Sequence, residues 1–289
     1  MKKSLSIVIF ILLILTIWGY FNIWRSPKYL LQKTSCENFD NILTMKQYGE
    51  LSDNHSRPFV IQKKNILIFG AKHTKDSKNK QLKILDSLFY EFKPTIVLVE
   101  GRLGFLIPYI MNPVKNFGEM GKAAALAHKE NIPIFSWEIP KNELINVLNQ
   151  KFRSEQIALK EILTPYFSNL RFGKPESPEN YVQQYLNRAE WFGLQDKINS
   201  VNYIDSIWEK DFPNEKDWRD TSDQWGLPGY LSEIADEANF IRNQNLVCSI
   251  NTLLNQGESV FVVCGSSHAI CIKDVYNYDL SKVDHVISN

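Results

Sequence analysis

Four short runs of apolar residues recur along the chain, and each ends at a glycine or a glutamate. The runs cover 65–69, 95–99, 132–137 and 259–264 and are rich in β-branched and aromatic side chains. Continuous apolar runs of this length predict strands that are buried on both faces, as in a largely parallel sheet.

The stretches between these runs repeat apolar residues at helical spacing or carry residues of high helix propensity. We therefore predict helices over 80–92, 120–130, 142–166, 181–196 and 231–254. Strands that alternate with helices predict an α/β fold, with a largely parallel central sheet flanked by helices. We place this domain at 58–289, after a linker and lead-in segment at 26–57.

A helical insertion at about 140–225 interrupts the predicted domain. Its segment 205–223 holds seven acidic and three basic residues together with Trp208 and Trp218. One interpretation is a lid or an insertion that contacts substrate. The other is an acidic surface connection whose tryptophans pack on the core.

The N-terminus differs from the rest of the chain. Lys2 and Lys3 precede an apolar run from Leu5 to Phe21. This run approaches the ~20 residues that span a bilayer, and no A-x-A-like cleavage site follows it. We predict an uncleaved signal anchor, a transmembrane helix within 1–25. Since short N-terminal tails usually stay inside, we expect the main domain to be extracytoplasmic.

Composition narrows the function classes. The 289 residues include 33 Lys and Arg against 32 Asp and Glu, and 44% are hydrophobic. This balance excludes a disordered chain and gives no overall basic field for binding nucleic acid. The four cysteines are dispersed and form no C-x-x-C, so we predict no disulfide framework and a buried thiol at Cys264.

The main chemical signal is a strand followed by G-x-x-H, which occurs twice and places His73 and His268 just beyond strand ends. Glu100 and Glu138 follow the two other strands. Because functional crevices in open α/β sheets lie outside the carboxyl ends of the strands, we expect these four side chains at one edge. Two imidazoles and a carboxylate suit a divalent metal with an open position for water.

Other interpretations of the same residues stay open. One histidine can act as a general base without a metal, or both can be satisfied buried side chains. No G-x-S-x-G, H-E-x-x-H, Walker A or G-x-G-x-x-G motif occurs in the sequence. We therefore interpret Ser266 and Ser267 as contributors to a pocket.

Five motifs together resemble a known family. They are G-A-K-H, G-S-S-H, V-E-G-R, the G-E-x-x-x-A-A-x-x-A pattern from Gly118 to Ala127, and the pair Arg242-Asn243. Over about 58–272 the chain resembles the TraB/PrgY/GumN group, which is related to the Tiki peptidases and more remotely to erythromycin-esterase-like and ChaN-like proteins. The resemblance implies a mixed central sheet and divalent-metal-dependent hydrolysis of peptides.

The resemblance also assigns residues. His73 and His268 match the family histidines, Glu100 and Glu119 match its acidic residues, and Arg242 matches its arginine. Arg102 and the segment Ser136-Trp137-Glu138 depart from the family pattern, which leaves the ligand set open.

We therefore predict a membrane-anchored hydrolase of peptidase type. His73, His268 and Glu100 are the expected metal ligands, and Glu100, Glu119 and Arg242 the catalytic groups. The candidates for binding a peptide or small-molecule substrate are Arg102, Glu138, Ser266 and Ser267. The alternatives are a metal-free esterase-like hydrolase with a histidine base, and a binding protein that sequesters a peptide or pheromone-like ligand without hydrolysing it.

Overall fold

A computed structural model of the chain describes residues 2–30, 36, 39–51, 55–170, 173–223 and 226–276. Its sheet has six strands, in the order β1-β5-β4-β6-β3-β2. Among the described residues only β2 is antiparallel to its neighbour. The strands are β1 Lys28–Tyr29, β2 Phe59–Lys63, β3 Ile66–Ala71, β4 Ile96–Val99, β5 Ile134–Ser136 and β6 Val260–Gly265.

Apart from the N-terminal helix α1, the α-helices flank this sheet or belong to the helical unit, Ile139–Ile241. They are α1 Lys2–Asn22, α2 Met45–Glu50, α3 Gln81–Phe92, α4 Pro113–Lys129, α5 Lys141–Leu148, α6 Ser154–Asn169, α7 Pro178–Gln183, α8 Val201–Asp211, α9 Tyr230–Asn255 and α10 Ser266–Cys271. Short 3-10 helices lie at Phe39–Asn41, Leu186–Phe192, Trp218–Asp220 and Lys273–Tyr276. The predicted α/β fold with a mostly parallel sheet flanked by helices is confirmed.

The central strands are buried along their whole length, as their apolar sequences predict. Every residue of β3, β4 and β6 is buried. Leu67 and Phe69 of β3 pack in one cluster with Val97 of β4 and with Phe261 and Val263 of β6. A sheet that is covered on both faces holds its strand ends in fixed positions, which sets the geometry of the candidate site.

The chain divides into two compact units. The sheet unit comprises Met1–Glu138 and Arg242–Asn289, and the helical unit comprises Ile139–Ile241. The helical unit covers the predicted insertion and extends into α9. Trp208 and Trp218 are buried in its apolar core together with Tyr166, so the tryptophans of the acidic segment serve packing.

Two predicted helices are in fact interrupted. The predicted helix 142–166 consists of α5 and α6, because the Gln156 side chain accepts a hydrogen bond from the Arg153 N–H and caps a new N-terminus. The predicted helix 181–196 begins earlier, at α7, where Ser177 caps the Asn180 N–H. A 3-10 helix follows, and it ends at Gly193, whose φ is +66°.

The prediction about cysteines was incomplete, because Cys36 and Cys248 form a disulfide across 212 positions of sequence. Such a pair is close only in the folded chain, so sequence spacing gave no signal for it. Cys264 is a buried free thiol, as predicted, and Cys271 is another.

The N-terminal helix α1 runs from Lys2 to Asn22, and its apolar residues from Ile7 to Ile17 are exposed. Within the part of the chain that the structure describes, no helix is long and apolar enough to cross a membrane. The side chains of 2–6 and 20–22 lie outside the described residues. The transmembrane helix thus stays a prediction.

Candidate active site

The sheet places the four predicted strand ends side by side. Val99 at the end of β4 pairs with Ser136 of β5 on one side and with Val263 of β6 on the other. On the far side of β6, Gly70 of β3 pairs with Cys264. Because these four strands are parallel, the residues that follow them emerge at one edge of the sheet.

Both glycines of the G-x-x-H elements lie in close packing. A Cβ on Gly70 would lie 2.6 Å from Cβ of Ala269 in α10. A Cβ on Gly265 would lie 3.0 Å from Nε2 of His73 and 3.6 Å from Oε2 of Glu100. Glycine therefore lets α10 approach β3 at the first position and leaves room for the His73 ring at the second.

His73 is held by Glu119. Nδ1 of His73 lies 2.5 Å from Oε1 of Glu119, and the other carboxylate oxygen accepts a hydrogen bond from the Thr74 N–H at 3.2 Å. Glu119 reaches this position because α4 is kinked at Gly118, where φ is +60° and a Cβ would meet the Thr74 carbonyl oxygen at 2.8 Å. The G-E motif thus provides both the kink and the carboxylate.

His268, like His73, is held at Nδ1, but its partner is a side-chain amide and not a carboxylate. Its Nδ1 lies 2.6 Å from Oδ1 of Asn243 in α9, while its Nε2 lies 3.7 Å from Oε1 of Glu100. The ring also meets the edge of buried Trp137, with the two ring centroids 5.3 Å apart. Packing and one hydrogen bond therefore fix the orientation of this imidazole.

Glu100 lies between the two histidines and is bound by Arg242. Nη2 of Arg242 donates to Oε1 of Glu100 at 2.8 Å, and the Gly265 N–H donates to Oε2 at 2.8 Å. Through Nε and Nη2 the same guanidinium also donates to both oxygens of Glu138. Arg242 thus joins the carboxylates that end β4 and β5.

These contacts set the ionisation of the cluster. Burial would raise the pKa of Glu100, but the charges of His268, Arg242 and His73 and the Gly265 N–H together lower it to about 2. Burial and the neighbouring Arg242 lower the pKa of His268 to about 4. At neutral pH Glu100 is therefore an anion and His268 a neutral imidazole.

The cluster contains three carboxyl groups, two imidazoles and one guanidinium. Arg242 binds Glu100 and Glu138, while Glu119 binds His73. Carboxylates in a buried setting are costly unless a positive charge balances them. The arrangement therefore favours a further cation, either a metal ion or a protonated imidazole.

The residues fit a divalent transition metal in donor type. His73, His268 and Glu100 offer two imidazole nitrogens and a carboxylate, and an oxygen partner on the opposite ring nitrogen is what metal-binding histidines usually have. Their positions do not form a complete metal site. Within the described ranges, no group of three or more His, Cys, Asp or Glu side chains is arranged to hold a metal ion.

Not every predicted site residue joins the cluster. The guanidinium of Arg102 lies over the ring of Tyr29, 5.7 Å from its centroid, and among the described contacts none joins it to Glu100. Ser266 and Ser267 occupy the first two positions of α10, between Gly265 and His268. The structure therefore brings together His73, His268, Glu100, Glu119, Glu138 and Arg242.

Two members of the cluster were not predicted as site residues. Trp137 contacts His268, and Arg242 lies over its ring at 5.5 Å from the centroid. Asn243 holds His268. Sequence signals existed for both, since Trp137 directly precedes Glu138 at a strand end and Asn243 directly follows Arg242.

Comparison with known proteins adds no assignment: no protein-family model, no curated protein and no solved structure matches the chain. The resemblance to the TraB/PrgY/GumN group stays a prediction that rests on the motifs alone.

Proposed function

We propose that the chain is a hydrolase that activates water at the strand-end cluster, with a divalent metal ion held by His73, His268 and Glu100. The observation that supports this most strongly is that the two imidazoles are held in the same way. Each has Nδ1 on an oxygen from a helix, Glu119 or Asn243. Nε2 of His268 lies 3.7 Å from Oε1 of Glu100, while Nε2 of His73 and Oε2 of Glu100 both border Gly265. Such a partner fixes the tautomer and orientation of a metal-binding histidine.

A bound divalent ion would lower the pKa of its water and polarise a carbonyl oxygen. The chain itself supplies orientation and charge. Glu119 and Asn243 hold the imidazoles, while Arg242 and the Gly265 N–H hold Glu100. Since its pKa is about 2, Glu100 stays negatively charged across the neutral range and suits charge stabilisation better than proton transfer.

Substrate would enter on the His73 side. The side chain of His73 is 46% exposed, whereas that of Glu119 is 3% exposed and that of His268 is 6% exposed. A peptide or amide substrate is the class that the family resemblance implies. Arg242 is engaged by two carboxylates, so we assign it to holding Glu100 and Glu138 rather than to binding the carbonyl oxygen.

A second candidate function is supported by the short contact between His73 and Glu119. A histidine whose Nδ1 donates to a buried carboxylate is oriented as a general base, and it is solvent-exposed here. In this metal-free alternative His73 takes a proton from water, and Glu119 stabilises the imidazolium.

Metal content and turnover test the proposal. The full chain, purified in detergent, is stripped with a chelator, reloaded with Zn²⁺, Mn²⁺ or Co²⁺, and assayed on a peptide mixture by mass spectrometry. We expect one metal per chain and activity only after reloading. Full activity of the stripped protein would exclude the metalloenzyme and favour His73 as base. Intact ligand after long incubation would indicate a binding protein.

Matched variants assign the ligands. His73→Ala and His268→Ala should each abolish stoichiometric metal binding. His128→Phe is the control, because His128 stacks on Trp24, with ring centroids 4.4 Å apart, outside the cluster. Equal loss in all three variants would show that metal binding does not depend on this site.

The proposal also includes a membrane anchor at α1 and a main domain outside the cytoplasm. The Cys36–Cys248 disulfide supports this location, because disulfides persist in oxidising compartments and are rare in the cytosol. Proteolysis of intact cells tests it: an extracytoplasmic domain is cut without lysis, and a cytoplasmic one is protected.

A further inference from the structure

The loop between β4 and α4 has an apolar, solvent-exposed tip. Phe105 is 62% exposed, Tyr109 is 98% exposed and Ile110 is 76% exposed. Tyr109 also has a positive φ of 68°, which is unusual for an aromatic residue, and hydrogen bonds from Ile110 and Met111 to the Ile107 carbonyl close the turn. Exposed apolar side chains grouped on one loop mark an interaction surface.

This loop is joined to the chain just beyond the N-terminal helix. The N–H of Trp24 donates to the Leu106 carbonyl at 2.9 Å, and the N–H of Leu106 donates to the Trp24 carbonyl at 3.1 Å. Stacking of Trp24 on His128 adds a second attachment, to α4. Since α1 ends at Asn22, the loop is fixed two residues from the end of that helix.

Charge in the two joined segments has one sign. Residues 22–36 and residues 101–118 both contain basic residues, and neither range contains an Asp or a Glu. Arg25, Lys28, Arg102 and Lys115 are all exposed. Basic residues beside an exposed apolar surface suit the anionic headgroups of a lipid bilayer.

We propose that the loop tip, formed by Phe105, Tyr109 and Ile110, inserts into the bilayer interface beside α1. The apolar residues of α1 are exposed at every position from Ile7 to Leu15, around the whole helix. A second copy of the chain would cover one face of such a helix, whereas lipid surrounds all of them. Lipid is therefore the occupant that suits both the helix and the loop.

The inserted loop would hold the candidate site close to the membrane. It begins at Gly101, immediately after Glu100. If the proposed hydrolase function is correct, the substrates it reaches most readily are peptides presented at the membrane surface. The membrane contact rests on the proposed anchor at α1, but it does not depend on hydrolase activity.

Site-specific fluorescence tests the contact. The full chain carries one added cysteine, at Ile110, at Ile11 of α1 or at Lys64 in the exposed turn between β2 and β3, and each is labelled with the dye NBD. The native thiols Cys264 and Cys271 are buried, and the other two cysteines are paired. Each protein is reconstituted into phosphatidylcholine vesicles with or without phosphatidylglycerol, and a lipid-borne spin label serves as quencher.

We expect a blue-shifted emission and several-fold stronger quenching at position 110 than at position 64, with quenching at position 11 as the reference. Phosphatidylglycerol should strengthen quenching at position 110, and added salt should weaken it. Quenching at position 11 without quenching at position 110 would overturn the proposal, as would the absence of quenching at both. Crosslinking between copies at position 110, without lipid quenching, would identify a dimer contact instead. Peptidase activity does not enter these readouts, so failure here is distinguishable from failure of the proposed function.

Discussion

Glu119 binds His73 through one carboxylate oxygen and the next backbone N–H, that of Thr74, through the other. The pair is separated by 46 positions of sequence. Because both oxygens are used, the orientation of the His73 ring depends on Glu119 rather than on β3 alone.

Replacing this carboxylate should reduce activity without unfolding the chain. Glu119→Gln keeps the shape but loses the charge that stabilises the Nδ1–H of His73. We expect kcat/KM or metal affinity to fall about 10- to 100-fold, as for other partners of metal-binding histidines. Glu130→Gln on the exposed end of the same helix region is the control. Equal kcat/KM and equal metal affinity in the Glu119→Gln and Glu130→Gln variants would contradict the role given to Glu119.

The guanidinium of Arg242 should be important for stability. Arg242→Ala leaves Glu100 and Glu138 without their shared partner, and removing one member of a buried ion pair costs about 3–5 kcal/mol. Chemical denaturation measures the loss. The double variant Arg242→Met, Glu138→Leu should recover part of it, and additive losses would show that the two residues are not coupled.

Asn243 should control the ionisation of His268. The wild-type imidazole is kept neutral by burial and by Arg242, with a pKa of about 4. In Asn243→Asp a carboxylate beside Nδ1 stabilises the imidazolium, so the pKa of His268 should rise. Proton NMR of the His268 ring against pH measures the shift. An unchanged titration would mean that Asn243 does not hold the ring.

Acid should weaken the helical unit through Glu161. Burial would raise the pKa of this carboxyl, but Lys160 and Lys141 lower it from the ordinary 4.5 to about 2. Because the folded pKa is the lower one, the stabilisation is complete above pH 4.5 and is lost as the pH falls towards 2. The loss is on the order of 3 kcal/mol.

Unfolding at pH 7 and pH 3 tests this dependence. Glu161→Gln should reduce the difference between the two conditions, and the remainder belongs to other carboxyls of lowered pKa such as Glu100. Glu209→Gln, at an exposed position of α8, should leave it unchanged. The interpretation would be wrong if the wild-type protein and Glu161→Gln lost the same stability in acid.

The Cys36–Cys248 disulfide should add thermal stability. The double variant Cys36→Ser, Cys248→Ser should lose about 2–4 kcal/mol. A reductant should lower the melting temperature of the wild-type protein and leave that of the variant unchanged, since Cys36 is exposed. If the reductant lowered the melting temperature of both proteins equally, reduction of the disulfide would not be the cause of the decrease.

The sheet and its edge were predictable because strand signals are local. Each buried strand is a continuous apolar run, and the residue that ends it is visible in the sequence. Parallel pairing of β3, β6 and β4 then brings His73, His268 and Glu100 together without further information.

The partners of these residues were harder to predict, because they come from helices far away in sequence. Arg242 and Glu138 are 104 positions apart in the sequence. Asn243 binds His268 only because the imidazole ring is turned towards it, and no sequence periodicity predicts that orientation. Arg102, which is adjacent to the site in sequence, turns instead to Tyr29. Sequence spacing predicts where the backbone leaves the sheet, but not which distant side chains will contact the residues at that point.

The covalent link between Cys36 and Cys248 makes the intervening chain a closed ring that contains the entire helical unit, Ile139–Ile241. A protease that cuts once anywhere in that unit therefore releases nothing. The nicked protein keeps its full mass on a non-reducing gel, and both fragments stay attached to the N-terminal helix until a reductant separates them.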